Sequence, residues 1–556
     1  MATAPVSLLL MAATGLVSSC SAAQLSPLPP LQERCAALNG MSIAPSSISM
    51  PTNGARITSA RTQSGEEKSG NYCHAAGTIL SVDPAAPPIR FEIGLPGDWN
   101  GKALMLTGGG FDGIVPAIDI PLFAQPAELV AAPLSRGYAV FASDSGHQGT
   151  TEEVVAPLID ASFALNDEAR DNYAGDALIK TYDAAHETIS GFYGQPARYR
   201  YIAGGSNGGR EGLLAISAWP DRFDGAIVAY PFWGHATTSL SFGAVWRQFK
   251  DAGAYLTPDD QELFQNFIYD SCDGLDGLKD GVIARPDACR PELGDIACTD
   301  RKTDRCLAPM QIEALKRFDG PVDLSWKTAG EKSHPGFPIF QGADIRGQQQ
   351  MGNVPPQFPI DKEMPTTAQF YDQFMRYFVL RDPTADPWDI DPENPGKLAT
   401  TIESATKLLD VPPSGFDAFR RKGGKLIIFQ GLADPIVSPR TTADFWHRVG
   451  EAAGTEERDR FARYYIIPGY GHGAGGTNAF QPSWDQLGVL EDWVEHGTAP
   501  GPLTMTDFSQ SHFGRTRPIC RFGRWTSYQS GDPRSSNSFA CIPNASDEHS
   551  AETTSR

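Results

Sequence analysis

Positive charge is what this chain most lacks: 46 Lys and Arg stand against 66 Asp and Glu, a formal net charge of −20. With no basic run anywhere, the phosphates of a nucleic acid would be repelled, which excludes nucleic-acid partners. Apolar runs long enough for a membrane are missing too. The one at the start, "MATAPVSLLLMAATGLVSSCSAAQ", is short for a bilayer span and closes in small residues, as a secretory leader does, although no Lys or Arg precedes it. There is no Cys-x-x-Cys repeat and no His/Cys ligand spacing, so a zinc module is not expected. No internal repeat or long low-complexity tract occurs, which argues against solenoids and disordered scaffolds.

Cysteine is sparse, nine residues in 556. Residues 1–23 are assigned to the leader, with cleavage after Ala23; "VSSC" also resembles a lipidation site, which would make Cys20 the lipidated first residue of the mature protein. A membrane partner is expected only if Cys20 is lipidated; otherwise the protein is secreted or periplasmic. The remaining eight cysteines form an even set, as in a disulfide framework of an exported protein, and their clustering points to sequential pairs.

What is present is a large apolar fraction, 41%, enough for a sizeable core. From about residue 76 to 230, strand-like runs ("KALMLTGGG", "GYAVFASD", "YRYIAGGS", "FDGAIVAYP") alternate with helix-like ones ("DALIKTYDAAHETISGFYG", "EGLLAISAW"). That alternation predicts an α/β fold with a mostly parallel sheet. Between 232 and 410 the pattern gives way to Cys-, Pro- and Asp-rich segments, read as an inserted lid. It resumes with "GGKLIIFQGLAD" and "FARYYIIPGYGHGAGG". The expected organisation is a core in two parts, 24–231 and 411–541, around the lid, with a disordered tail at 542–556.

The stretch "YIAGGSNGGREG", residues 201–212, places Ser206 between a strand-like run and a helix-like one, crowded by Gly204, Gly205 and Gly208. A lone Gly-x-Ser-x-Gly recurs by chance, but a strand before it and a helix after it are what a nucleophile elbow needs. A serine hydroxyl attacks only when a base takes its proton, and that base needs an acid to fix its tautomer. The chain order serine, acid, histidine is met by Asp434, just beyond "KLIIFQGLAD", and His472, in the loop after "RYYIIPGYGHG". Asp434 also reads as a turn residue before Pro435, and Asp444 is the alternative acid nearby. His147 and His186 precede the serine and read as structural or pocket-lining. Donors for an oxyanion are expected from the Asn207 amide and from Gly108, Gly109 and Gly110 of "LTGGGFDG", with Gly109 and Gly110 favoured.

"CDGLDGLKDGVI" offers Asp273, Asp276 and Asp280 at short spacing, with glycines that let the chain curl. It reads either as a hard-cation loop of a non-EF-hand kind or as a run of Asp-Gly turns.

Taken together, "YIAGGSNGGREG", "WPDRFDGAIVAYP", "CDGLDGLKDGVI", "FRRKGGKLIIFQGLADPIVSP", "IIPGYGHGAGG", "DWVEHGTAP" and "RPICRFGRW" resemble the tannase and feruloyl esterase family, which includes mono(2-hydroxyethyl) terephthalate hydrolases. The match runs from about 35 to 541. The resemblance implies an α/β-hydrolase core with a lid inserted between serine and acid, hydrolysis of esters of aromatic acids, and a structural calcium held by Asp273, Asp276, Asp280 and the carbonyls of Leu278 and Val282. It also implies the pairs Cys35 with Cys73, Cys272 with Cys289, Cys298 with Cys306, and Cys520 with Cys541. One departure stands out. The family typically joins a cysteine before the nucleophile to one after the histidine, and here those positions are Gly205 and Gly473. Restoring both cysteines is expected to add a stabilising bridge.

The lid carries Trp326, Phe370, Tyr371, Phe374, Tyr377, Phe378 and Trp388, some as lid core and some for stacking an aromatic acyl group; Arg376 is a candidate for a substrate carboxylate. Gallate, hydroxycinnamate and terephthalate esters all remain open, as does oligomeric state. The expected partner is a small aromatic ester. Beside the esterase reading stand an acyltransferase using the same acyl-enzyme, an exported binding protein that has lost activity, and a serine peptidase on this fold.

Overall fold

The computed structural model describes Met1 and residues 28–64, 70–328, 331–347, 350–473 and 478–544, with side chains at 325–328 and 331–332 left aside. The leader, including Cys20, and most of the expected tail lie outside these residues, as does the side chain of Trp326.

A thirteen-stranded sheet forms the centre. Its principal strands are β1 (Ala55–Ser64), β2 (Asn71–Ile79), β3 (Ile89–Pro96), β4 (Lys102–Leu106), β5 (Ala139–Ser143), β6 (Tyr199–Gly205), β7 (Gly225–Ala229), β8 (Lys425–Gly431), β9 (Ala462–Ile467), β10 (Leu503–Asp507) and β11 (Thr516–Arg521). They lie in the order β1-β2-β3-β5-β4-β6-β7-β8-β9-β11-β10, with a two-residue strand at each end. The six from β5 to β9 are mutually parallel; β1, β2 and β3 on one side and β10 and β11 on the other are antiparallel. This is the α/β-hydrolase type of core read from the alternating runs, extended at both edges.

The parallel strands read as continuous apolar runs because both faces are covered. Successive residues feed two different cores: Leu104 and Leu106 of β4 join one, Ala103 and Met105 the other, and β8 divides Ile427 and Phe429 from Leu426 and Ile428 in the same way. Helices α1 (Ala177–Tyr193) and α2 (Asn207–Ala218) pack in part against the second face. The first face is continuous with the apolar interior of the segment that leaves the sheet after β7 and returns at β8.

That excursion carries α3 (His235–Trp246) and α4 (Thr366–Gln373), other helical turns, and a two-stranded ribbon of Val322–Thr328 with Glu331–His334. Its aromatics sit on the core: Phe370 stacks on Phe111 with ring centroids 4.0 Å apart. After β8 the chain enters α5 (Pro439–Ala453), where the Ser438 hydroxyl accepts from the Arg440 N–H and Pro439 occupies the first turn. Helix α6 (Gln486–His496) follows β9.

Four disulfides are formed: Cys35–Cys73, Cys272–Cys289, Cys298–Cys306 and Cys520–Cys541. The tail starts later than the sequence implies. Ile542 and Pro543 belong to a strand, Phe539–Pro543, that pairs with Arg524–Tyr528, and the Asn544 N–H donates to Gly523. Among the described residues no helix is long and apolar enough to cross a membrane.

Candidate active site

Ser206 sits on the turn between β6 and α2 with φ 59° and ψ −124°, a conformation that is strained for a side-chain-bearing residue. The turn is held by the Ser206 N–H donating to Ala229 and by the Arg210 and Phe232 N–H groups donating to the Ser206 carbonyl. So sharp a turn brings strand, helix and the neighbouring loop too close for side chains. A Cβ at Gly204 would lie 1.9 Å from Thr107 Oγ1, and one at Gly208 would lie 2.2 Å from the Gly108 carbonyl oxygen. The Thr107 hydroxyl lies within hydrogen-bonding distance of the Ala203 and Gly208 carbonyls, tying the glycine loop after β4 to the serine turn.

Asp434 lies just past β8 and is fully buried. Its Oδ1 accepts the Ile436 and Val437 N–H groups at 2.8 and 2.9 Å, and Oδ2 accepts from Gln430 Nε2 at 3.1 Å. The remaining bond is to His472: Nδ1 donates to Asp434 Oδ2 at 2.9 Å. A carboxylate fixed on three sides leaves the imidazole one tautomer, with Nε2 free of its proton. Asp444, the alternative acid, lies within α5. The loop around His472 is clamped by Asn478, which accepts from the Gly471 N–H and donates to the Gly473 carbonyl.

Ser206 and His472 line one cavity of about 340 Å³ together with Asn207, Gly109 and Gly110. The Asn207 N–H opens α2, where first-turn donors have no partner within the helix. Gly108 instead presents its carbonyl to Gly208. The rest of the wall is apolar or hydroxylic: Leu158 and Ile159 from the core, Phe232 and Phe242 around α3, Thr366, Thr367 and Phe370 of α4, then Ile436 and Tyr230. Of the lid aromatics picked out in the sequence whose side chains are described, only Phe370 reaches this wall; Tyr371, Phe374, Tyr377, Phe378 and Trp388 are buried elsewhere. Arg376 is also buried, and its guanidinium is paired with Asp372 and Glu153.

Below the cavity lies a cluster the sequence did not signal. Asn207 Nδ2 donates to Asp112 Oδ2 at 3.1 Å, Arg210 Nε donates to Asn207 Oδ1 at 2.6 Å, and Glu211 is buried beside them. Burial raises both carboxyls above their usual range, and the charge of Asp112 raises Glu211 further. Neither His147 nor His186 lines the cavity; buried His147 stacks on Phe163, and partly buried His186 on Tyr182.

The acidic loop curls as its glycines require, with Gly277 at φ 100° and Gly281 at φ 79°. Asp273 accepts the N–H groups of Asp280, Gly281 and Val282, while Asp280 pairs with Arg515 and Arg517. Asp276, Asp280 and Val282 line a void of about 10 Å³. Burial, then the charges of Asp280 and Asp273, push Asp276 up to about 6 against the Leu278 N–H that favours its ionised form. Oxygen donors of this kind suit a hard divalent cation. Among the described residues, however, no three acidic, His or Cys side chains converge closely enough to hold an ion, so backbone carbonyls would have to complete the shell.

The profile of the family described as tannase and feruloyl esterase matches residues 73–542. An uncharacterised esterase of Agrobacterium fabrum is 34% identical over 526 residues, covering 91% of this chain and 92% of the relative. The mono(2-hydroxyethyl) terephthalate hydrolase of Piscinibacter sakaiensis is 27% identical, with 84% of each chain covered. Among solved structures, feruloyl esterase B from Aspergillus oryzae superposes with a TM-score of 0.73 at 21% identity, covering 92% of this chain and all of that one. The tannin acyl hydrolase of Aspergillus niger gives 0.67 at 20%, over 88% of this chain and 90% of its own. By the extent of these matches the chain belongs to the tannase and feruloyl esterase family and is a carboxylic ester hydrolase.

Proposed function

We propose that the protein is an exported esterase for neutral esters of aromatic acids, with Ser206 as nucleophile, His472 as base and Asp434 as its orienting acid. The observation that carries this reading is the shared cavity: a strained serine, a carboxylate-bound imidazole and the Asn207, Gly109 and Gly110 backbone face one apolar space of about 340 Å³. Ser206 Oγ attacks the ester carbonyl as its proton passes to His472 Nε2. The oxyanion is held by the Asn207 N–H and a glycine N–H of the 109–110 pair. His472 then returns the proton to the departing alcohol, and a water, activated the same way, releases the acid.

The acyl preference follows from what lines the wall. Among the described lining residues none bears a charged side chain except His472 when protonated, and Arg376 is already held by Asp372. A free carboxylate on the acyl ring would lose its hydration there without gaining a cation. Phe232, Phe242 and Phe370 offer an uncharged ring apolar and edge contacts. Gallate or hydroxycinnamate esters are therefore favoured over a terephthalate monoester.

The calcium belongs to the same proposal: Asp273, Asp276 and Asp280 with the Leu278 and Val282 carbonyls would hold it. Its contribution there is structural, a positive charge that neutralises the acidic loop away from the chemistry.

The test is hydrolysis of methyl gallate, methyl ferulate and mono(2-hydroxyethyl) terephthalate by the mature protein and by Ser206→Ala. Turnover of a neutral methyl ester at least about tenfold above that of the terephthalate, absent in the variant, is the expected result. Equal turnover by the Ser206→Ala protein, or a preference for the charged ester, would overturn it.

A further inference from the structure

Tyr230, the first residue after β7, is one of the few non-glycine residues in a left-handed conformation, with φ 34°. Its N–H donates to the Phe429 carbonyl of β8, which pins the backbone while the side chain turns into the cavity wall. The ring lies between the two catalytic loops. Its centroid is 4.7 Å from that of His472, at an interplanar angle of 51°, and Phe429 and Tyr470 meet it on other sides. Toward the serine turn the fit is closer still. A Cβ added at Gly205 would fall 2.7 Å from the Tyr230 ring and 2.9 Å from its hydroxyl oxygen, so Gly205 is the only residue type that admits the ring. A Cβ at Gly473, beside His472, would lie 3.5 Å from that same oxygen.

We propose that Tyr230 is a positioning residue: its ring is a non-covalent bolt that fills the gap between the Ser206 turn and the His472 loop and sets the imidazole's orientation. This rests on the assignment of Ser206 and His472 above. Asn478 holds the loop's backbone on either side of His472 and Asp434 holds Nδ1, while the Tyr230 ring lies against the imidazole's side and limits its tilt about that bond. The same geometry corrects an expectation drawn from sequence. The places where side chains at 205 and 473 would begin both lie against one oxygen atom, and the Tyr230 ring occupies the space between them. Cysteines at both positions are therefore incompatible with Tyr230, and gain a bridge only when the ring is removed.

Three sets of proteins test this. Tyr230→Ala and Tyr230→Phe are assayed with 4-nitrophenyl acetate, too small to depend on the far wall of the cavity. The Ala variant is expected to lose kcat by about tenfold or more with KM changed by less than about threefold, while Phe, which keeps the ring, stays within about threefold of the parent. Next, Gly205→Cys with Gly473→Cys is made with and without Tyr230→Ala, and thiols are counted in denaturant. Two free thiols are expected with the tyrosine present and none without it. Finally, kcat of the bridged triple variant is expected to exceed by about fivefold that of the same triple with serines at 205 and 473, which bears the same backbone strain but no bond. If Tyr230→Ala does not fold, Tyr230→Leu takes its place in every arm. A Tyr230→Ala kcat within twofold of the parent, or equal bridge formation with the tyrosine in place, would overturn the proposal. The thiol count needs no catalysis, so it stands apart from any failure of the Ser206 assignment, which Ser206→Ala reads separately.

Discussion

Asp434 shows how much of a site is fixed by bonds that never touch a substrate. Two backbone N–H groups and the Gln430 amide hold its carboxylate, and Gln430 is itself braced where the Thr442 hydroxyl donates to its Oε1 at 2.8 Å. Asp434→Asn would preserve that shape but offer an amide where His472 needs an acceptor, favouring the wrong tautomer. Steady-state kinetics are expected to show kcat lower by about 10³-fold or more with KM little altered; a loss below tenfold would mean another group orients the imidazole. Ser206, Asp434 and His472 were legible in the sequence because each is bound to local chemistry: glycines at a strained turn, an acid just past an apolar strand, and a histidine in the next such loop. Tyr230 was not. Nothing in "AIVAYPF" announces a left-handed residue, and its partners, Gly205, Phe429 and His472, are assembled only by the neighbouring strands β6, β7 and β8. The same holds for Thr366, Thr367, Leu158 and Ile159, whose place on the wall depends on how distant segments dock.

Among the elements, the acidic loop is the one whose state most depends on a partner. Burial, and then the charge of Asp280, raises Asp273, and burial with Asp280 and Asp273 raises Asp276, while Arg517 and Arg515 pair with Asp280. A cation bound to the folded loop alone would stabilise the protein by about 2.7 kcal/mol at a hundredfold excess over its Kd. Exhaustive chelation is expected to lower Tm by several degrees, calcium to restore it, and Asp276→Asn to blunt both responses. An unchanged Tm in a protein free of bound metal would remove the ion from the proposal. The sequence pattern exposed the loop but could not show that Asp273 is bonded to its own backbone, since that depends on how Gly277 and Gly281 curl the chain. The sheet was legible in the same partial way. Continuous apolar runs marked the six parallel strands, whereas β1, β2, β10 and β11, with one face half exposed, blended with their turns.

Across the whole molecule, burial has fixed protonation states that pull against one another as pH changes. His147, His186 and His334 are held down to about 3 by burial, while Asp410 is pushed up to about 7 and Asp144 and Asp372 to about 6 by the same cause. A histidine kept neutral in the fold contributes stability that is complete above its unfolded value of about 6.5 and is lost as pH falls toward about 3. The buried carboxyls act oppositely, stabilising at low pH and less so as pH rises through their folded values. The two sets offset each other, so the wild-type Tm should vary gently between about pH 7 and 4. His186→Phe, which keeps the stacking on Tyr182, removes one member of the first set. Its Tm relative to the parent is expected to be higher at about pH 5 than at pH 8, by an amount worth about 2 kcal/mol. Calorimetry showing the same difference at both values would contradict the assignment.

The excursion between β7 and β8 also puts a clock into the biosynthesis of the enzyme. Ser206 is made before it, Asp434 and His472 after it, and β8 joins the first part of the sheet by pairing with β7 across about two hundred intervening residues. Such distant pairing is slow to close. A growing chain therefore carries the proposed nucleophile without its proposed base for nearly half of its synthesis, and with Phe370 and its neighbours still lacking the surface they will cover. Until the second part of the sheet arrives, the apolar surface of the first part stays uncovered, which makes the unfinished chain a client for whatever holds unfolded chains apart.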